Sequence, residues 1–253
     1  MNQSRRSLIC AALAATALPA APAPASSYLR AVAFDGIALF DPRPVEAIAR
    51  ETLGDRTAAF MALWRTRQFE YTWLRTVMNR YADFAQVTAE SLLFAEKTFG
   101  VTLGDHMRDR LVRAFFDLRA WPDVKPVLEE LRRLGHATAI MSNFTETMLK
   151  NAIRNSGIEG LVDATLSTDR VQVFKPDARA YATTPAALSL PRERICFVAF
   201  AGWDVSGAKA FGHPVYWANR LGAMNEELGL QADFIAKDLT ALPGFVQAWT
   251  AKV

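Results

Sequence analysis

The constraint that most narrows the fold lies in the second half of the chain, where short apolar runs alternate with amphipathic stretches. After Trp121-Pro122 the pattern predicts a helix over Val124–Leu134 closed by Gly135, then a strand over Ala137–Met141. A helix over Glu146–Ser156 closed by Gly157 follows, then a short extended piece at Leu166 and a helix over Ala178–Leu188. A strand over Ile195–Phe200, a helix over Val205–Phe211 and a strand over Pro214–Ala218 complete the series. Strands separated by helix-length connections pair in parallel, so the expected class is α/β, a doubly wound parallel sheet with helices on both faces. One further apolar run, Leu29–Phe34, stands apart near the start and ends at Asp35. From Val45 to about Ala120 the chain reads as helical, with Phe60, Trp64, Tyr71, Leu74 and Met78 near one face. The expected division is a core made of residues 28–44 and 121–253, with residues 45–120 as a separate helical unit inserted after the first strand.

Composition removes several classes of function. The 253 residues carry 29 basic and 26 acidic side chains, a net charge of +3, with no basic block of five or more. No nucleic-acid footprint is indicated. Two cysteines and three scattered histidines do not make a zinc site. No G-x-S-x-G elbow marks a serine hydrolase, and no glycine fingerprint follows the first strand.

The N-terminus reads as an address. Ser4-Arg5-Arg6 precedes an apolar stretch over Leu8–Leu18, too short to span a bilayer, and Ala23-Pro24-Ala25 is an A-x-A cleavage site. Residues 1–25 are expected to be an export signal of twin-arginine type, removed after Ala25, which would leave a periplasmic protein with no stable membrane anchor. Cleavage removes Cys10, so Cys196 would be the remaining thiol.

In a sheet of this kind ligands bind beyond the carboxyl ends of the strands. The residues found there are Asp35 to Asp41 after the first strand, Ser142-Asn143 after the second, Lys175 after the extended piece, and Ala199 to Asp204 at the end of Ile195–Phe200 and just beyond it. An acid, a polar pair, a lysine and a second acid are thereby expected at one edge. Each has a plainer reading from spacing alone. Asp35, Ser142 and Asn143 could serve turn chemistry, Asp204 could cap a helix, and Arg65 could be a surface cation.

These positions, in this order, resemble the four motifs of the haloacid dehalogenase superfamily: the FD-x-x-x-LFD opening, MSN, VFKPDARAY and FVAFAGWD. The stretch WRTRQFEYTWLRTVMNRYADF, residues 64–84, is similar to the cap segment of type II (S)-2-haloacid dehalogenases. The resemblance spans roughly residues 28 to 248. It implies a Rossmann-like core with a helical cap, and hydrolysis that needs no metal and no cofactor. The implied partners are a small haloalkanoic acid, water and the released halide, and the resemblance leaves a homodimer open.

It also implies roles. Asp35 is the nucleophile that attacks the α-carbon and forms an ester, which water then cleaves. Lys175 keeps that carboxylate ionised and helps hold the substrate carboxylate. Ser142 binds the substrate carboxylate, Asn143 the halogen, and Arg65 the departing halide. Asp204 orients Lys175 and the hydrolytic water, with Tyr181 in support. Phe69 and Phe84 form the apolar substrate pocket, with Phe69 at i+4 from Arg65, and Trp203 helps cradle the halide.

The departures from the motifs are specific. The opening usually reads D-x-Y-G-T-L-F-D; here Asp35 to Asp41 is one residue shorter and carries Ile37 and Ala38. The fourth motif usually reads FVSSNAWD; here Ala199, Phe200 and Ala201 replace two serines and an asparagine. Fewer hydroxyls and a bulky Phe200 predict a tight pocket for two- or three-carbon substrates. A phosphatase of the superfamily would need an acid two residues after the nucleophile, where Ile37 stands. The alternative that the departures support is a relative that binds a small organic anion, or is alkylated by it, without turnover.

Overall fold

The computed structural model describes residues 28–249. Residues 1–25, expected to be an export signal, and with them Cys10, lie outside the described residues. β1 (Ala31–Phe34) leads through a short helix α1 (Gly36–Leu39) into four longer helices, α2 (Arg43–Leu53), α3 (Thr57–Val77), α4 (Phe84–Phe99) and α5 (Gly104–Ala114). The alternating half follows: α6 (Val124–Arg133), β2 (Ala137–Ser142), α7 (Glu146–Ser156), β3 (Ala164–Ser167), α8 (Ala178–Tyr181), α9 (Thr183–Leu188) and β4 (Ile195–Ala199). It ends with α10 (Gly202–Phe211), β5 (Val215–Ala218), β6 (Phe234–Ala236) and α11 (Leu242–Ala248). The six strands form one sheet in the order β3-β2-β1-β4-β5-β6, and every neighbouring pair is parallel. The α/β class read from the alternation is therefore the class observed. Among the described residues no helix is long and apolar enough to cross a membrane.

The central strands β1, β4 and β5 are buried on both faces because they are apolar at every position. In β1 the side chains of Val32 and Phe34 pack in one core layer and those of Ala31 and Ala33 in the other. This is the two-sided burial that a parallel sheet requires. The chain moves outward from β1 to β2 and β3 on one side and returns through β4 to β6 on the other. The switch point thus falls between β1 and β4, beside Asp35, whose backbone N–H donates to the Val198 carbonyl (2.9 Å).

Helices α2 to α5 stand between β1 and the rest of the sheet in sequence. α3 and α4 are joined by buried polar contacts: Trp64 Nε1 donates to the Thr88 carbonyl (3.0 Å), and Gln68 Nε2 to Thr88 Oγ1 (2.6 Å). Two bonds tie the far end of this helical segment to the strand segment. The Phe174 N–H donates to Thr76 Oγ1 (3.0 Å), and the Tyr81 hydroxyl donates to Asp169 (2.5 Å).

Several boundaries differ from those expected, each for a local reason. The single helix expected over Ala178–Leu188 is two helices, because Pro185 has no N–H for the Tyr181 carbonyl one turn back. The helix expected to run to Arg119 stops at Ala114, and the chain then turns so that Ala120 pairs antiparallel with Phe40. β6, three residues long, was not foreseen; so short a run carries no readable period. α10 starts at Gly202 rather than Val205, which places Trp203 and Asp204 in its first turn.

His213 follows α10 and is buried, with Nδ1 against the carbonyls of Arg192 (3.0 Å) and Ile195 (3.1 Å). Two carbonyl partners require Nδ1 to carry the proton. Burial pushes the pKa of the ring down to about 4, well below the ordinary 6.5. The unfolded chain therefore takes up this proton first as pH falls. The contribution to stability is present at neutral pH and is lost on acidification from 6.5 through 4. A shift of this size is on the order of 3 kcal/mol. His213→Asn keeps a donor near the Nδ1 position but does not titrate. Denaturant unfolding at pH 7 and pH 4.5 should show a smaller acid loss in this variant than in the wild type, and an equal loss would exclude His213 as its source.

Candidate active site

Three chain segments meet at the carboxyl edge of the sheet. Asp35 leaves β1 as the N-cap of α1, and its Oδ2 accepts from the N–H groups of Ile37 (2.7 Å) and Ala38 (3.3 Å). Its Oδ1 accepts from Lys175 Nζ (2.5 Å). The same ammonium donates to Asp204 Oδ2 (2.7 Å), and Asp204 Oδ1 accepts from the Tyr181 hydroxyl (2.6 Å). Asp204 is not a helix cap, since the N-cap of α10 is Ala201. Lys175 is fully buried, Asp204 nearly so, and Asp35 keeps 8% of its surface.

Burial of this group sets its ionisation. Loss of water works against the Lys175 ammonium, but the charges of Asp204 and Asp35 outweigh it and hold the lysine above its ordinary pKa. Burial pushes Asp204 upward against the opposing pull of Lys175, with Asp35 adding to the rise. Burial, followed by the neighbouring Asp204 charge, raises Tyr181 well above the ordinary phenol value, so it stays a donor. The cluster is thus an ammonium between two carboxylates, with the surplus negative charge shared among hydroxyl and amide donors.

A small cavity of about 20 Å³ opens on this cluster. Asp35, Asp204, Ser142 and Asn143 supply its polar wall, and Ile37, Phe69, Phe84, Phe144, Phe200, Ala201 and Trp203 the apolar one. Asn143 Oδ1 accepts from the Lys175 N–H (3.0 Å), which leaves its Nδ2 free of the lysine segment. That buried Nδ2 has no protein partner, so an unused donor belongs to the cavity wall. Ser142 Oγ accepts from the Phe144 N–H (3.1 Å).

A second cavity of about 110 Å³ adjoins the first and shares Ile37, Phe69 and Phe200 with it. Arg65 lines this outer space together with Trp64, Gln68, Phe115 and Trp121. The structure therefore brings together nine of the ten residues singled out from the sequence. Asp35, Ser142, Asn143, Asp204, Phe69, Phe84 and Trp203 line the inner cavity, and Lys175 and Tyr181 support it from beneath. Arg65 is exposed, makes no ion pair among the described residues, and is separated from Asp35 by the shared aromatic wall.

Sequence reasoning passed over two glycines and one phenylalanine. A Cβ on Gly36 would stand 2.5 Å from Ser142 Oγ, and one on Gly207 would stand 2.5 Å from the Tyr181 hydroxyl oxygen. Any side chain at either place would push apart the elements that build the site. Phe144 lines the cavity and packs on Phe84 with ring centres 5.4 Å apart. The Asp-Gly pair at residues 35–36 was the one visible signal; Gly207 and Phe144 had none. Among the described residues no group of three or more His, Cys, Asp or Glu side chains is placed to hold a metal ion.

With this geometry in place, the comparisons can be stated. The haloacid dehalogenase-like hydrolase family matches residues 15–212. The (S)-2-haloacid dehalogenase of Pseudomonas sp. (strain YL) is 38% identical over 216 residues, covering 85% of this chain and 93% of that protein. The haloacetate dehalogenase H-2 of Moraxella sp. (strain B) is 34% identical over 215 residues, covering 85% of this chain and 96% of its own. Among solved structures, the L-2-haloacid dehalogenase of Xanthobacter autotrophicus with chloropropionic acid covalently bound superposes with a TM-score of 0.81 at 30% identity, covering 88% of this chain and 100% of that one. With the family match over most of the chain and relatives at 30% identity or more, the chain belongs to the haloacid dehalogenase-like hydrolases.

Proposed function

We propose that the protein hydrolyses small 2-haloalkanoic acids, haloacetates and (S)-2-haloacids, to 2-hydroxy acids through an ester on Asp35. The observation that carries this reading is the Asp35 carboxylate: it lines a cavity of about 20 Å³, is held by two amides and an ammonium, and shares the cavity wall with Asn143, whose buried Nδ2 has no protein partner. An Asp35 oxygen attacks the α-carbon, the carbon–halogen bond breaks, and the electron pair leaves with the halide. Water then attacks the ester carbonyl of Asp35, releasing the hydroxy acid and restoring the carboxylate. The configuration at the α-carbon inverts in the first step and is untouched in the second.

The surroundings suit these steps. Lys175 donates to Asp35 Oδ1, and Ser142 with Asn143 offers donors to the substrate. Phe84, Phe69 and Trp203 exclude water from the first step and pack the α-carbon. Asp204, raised by burial, is the nearest base for the hydrolytic water. Arg65 meets the departing halide at the boundary with the outer cavity, since a guanidinium is always charged and weakly hydrated. We further propose export to the periplasm, supported by Arg5-Arg6, the apolar Leu8–Leu18 and Ala23-Pro24-Ala25.

A second reading rests on one observation. Ala201 presents only a methyl group to the cavity, and Ala199 lies buried in β4. With no polar side chain there, the ester could form and persist.

One assay separates the readings. Halide release is followed from chloroacetate, fluoroacetate and each enantiomer of 2-chloropropionate, with mass spectrometry of the protein. Many halides per protein, from the (S) enantiomer and the haloacetates, are expected. One halide per protein with a stable adduct on Asp35 would leave alkylation and remove hydrolysis. Neither halide nor adduct would overturn both. Asp35→Asn should abolish release and adduct alike; turnover by that variant, with deamidation excluded by mass, would sink the nucleophile assignment. Arg65→Ala should slow release by about a hundredfold or more, the usual cost of removing one group that meets developing charge. A rate near wild type would place the halide elsewhere.

A further inference from the structure

The turn that holds the nucleophile is itself held from outside the cavity. Gly36–Leu39 is a helix of four residues, too short to satisfy its own backbone. Its N–H groups at Ile37 and Ala38 are spent on Asp35 Oδ2. Of its four carbonyls only that of Gly36 is bonded within the turn, by the Phe40 N–H (2.8 Å). The other three take donors from two residues distant in sequence. Trp121 Nε1 donates to the Ile37 carbonyl (3.2 Å), and the Trp121 N–H donates to the Leu39 carbonyl (2.9 Å). The Arg220 guanidinium donates to the Ala38 carbonyl from Nη2 (3.0 Å) and Nε (3.3 Å).

Both residues are locked in place. Asp123 pairs with Arg220 in a two-pronged bridge (Nη1 3.0 Å, Nη2 2.9 Å) that is largely buried. The Arg220 guanidinium lies 4.7 Å from the centre of the Trp121 ring, and that of Arg43 lies 4.5 Å from it. The indole is therefore fixed by two cations, and its N–H has one target.

We propose that Trp121 and Arg220 are positioning residues that set the Asp35 carboxylate for attack by gripping the back of the Gly36–Leu39 turn. The role of Asp35 as nucleophile is taken from the function proposed above. The connection is a single peptide group. The Ile37 carbonyl that accepts from Trp121 belongs to the same amide plane as the Ala38 N–H that donates to Asp35. A donor on one end of that plane fixes its orientation and polarises the other end toward the carboxylate. Arg220 fixes the next plane. The opening motif is one residue shorter here and has no hydroxyl side chain between Asp35 and Asp41, so apart from Lys175 the carboxylate is held by backbone donors and by whatever orients them.

Trp121→Phe keeps a ring between the two arginines and removes the Nε1 donor. Arg220→Lys keeps the charge opposite Asp123 and removes the fork. Amide exchange at Ile37 and Ala38 is measured by NMR in the purified protein and both variants, beside kcat and KM for halide release and the thermal midpoint. The expected result is exchange about tenfold faster at both amides, kcat about tenfold lower with KM unchanged, and a higher pH for the acid limb of kcat/KM, with little change in the midpoint. Unchanged exchange in both variants overturns the proposal. So does faster exchange in an active enzyme whose kcat and pH profile stay at wild type, because the grip would then be structural only. If the wild type releases no halide yet the amides respond, the grip on Asp35 stands and the dehalogenase reading fails. If one variant does not fold, the other decides.

Discussion

Everything at this site depends on one buried lysine. Lys175 has no water to solvate its ammonium, and it is stable there because two carboxylates from other parts of the chain close on it at 2.5 and 2.7 Å. Neither carboxylate could be buried alone, since a lone charge out of water costs several kcal/mol. Three segments are thus bound together: the end of β1, the segment before α8, and the first turn of α10. The cluster also has one negative charge too many. The Tyr181 hydroxyl and the amides of Ile37 and Ala38 share it. Gly36 and Gly207 follow from the same closeness, because neither place has room for a methyl group.

The cavity above the cluster is divided by its aromatic wall. The inner part is lined by both carboxylates, and the outer part is larger and carries Arg65. Ile37, Phe69 and Phe200 line both. Of the residues that depart from the usual motifs, Ile37, Phe200 and Ala201 line the cavities, and Ala38 and Ala199 are buried. Ile37 and Ala38 meet the ion cluster only through their backbone N–H groups, which donate to Asp35.

Much of this was legible in the sequence, and the reasons are local. The strand–helix alternation after Trp121 names a parallel sheet, and a parallel sheet names its own binding edge. Reading the residues at that edge gives Asp35, Ser142, Asn143 and Asp204 without further information. Lys175 was placed by the same rule, and Tyr181 by its distance from Lys175 in the resembling motif. Trp121 and Pro122 were read only as a break, and Arg220 not at all. Their roles arise from carbonyls of a turn about 84 and 182 residues away, which no local pattern records.

The sequence by itself determined the class of fold, the family and the order of the chemical groups along the sheet edge. Those follow from hydrophobic period, turn residues and motif spacing, which act over a few residues at a time. Only the tertiary structure decided that Lys175 is shared between two carboxylates, that Asp204 is not a cap, and that Arg65 faces an outer space. It alone decided that the turn after Asp35 is held from behind. These depend on which side chains from distant segments come within about 3 Å of one another, and such distances are set by the packing of the whole sheet and its helices.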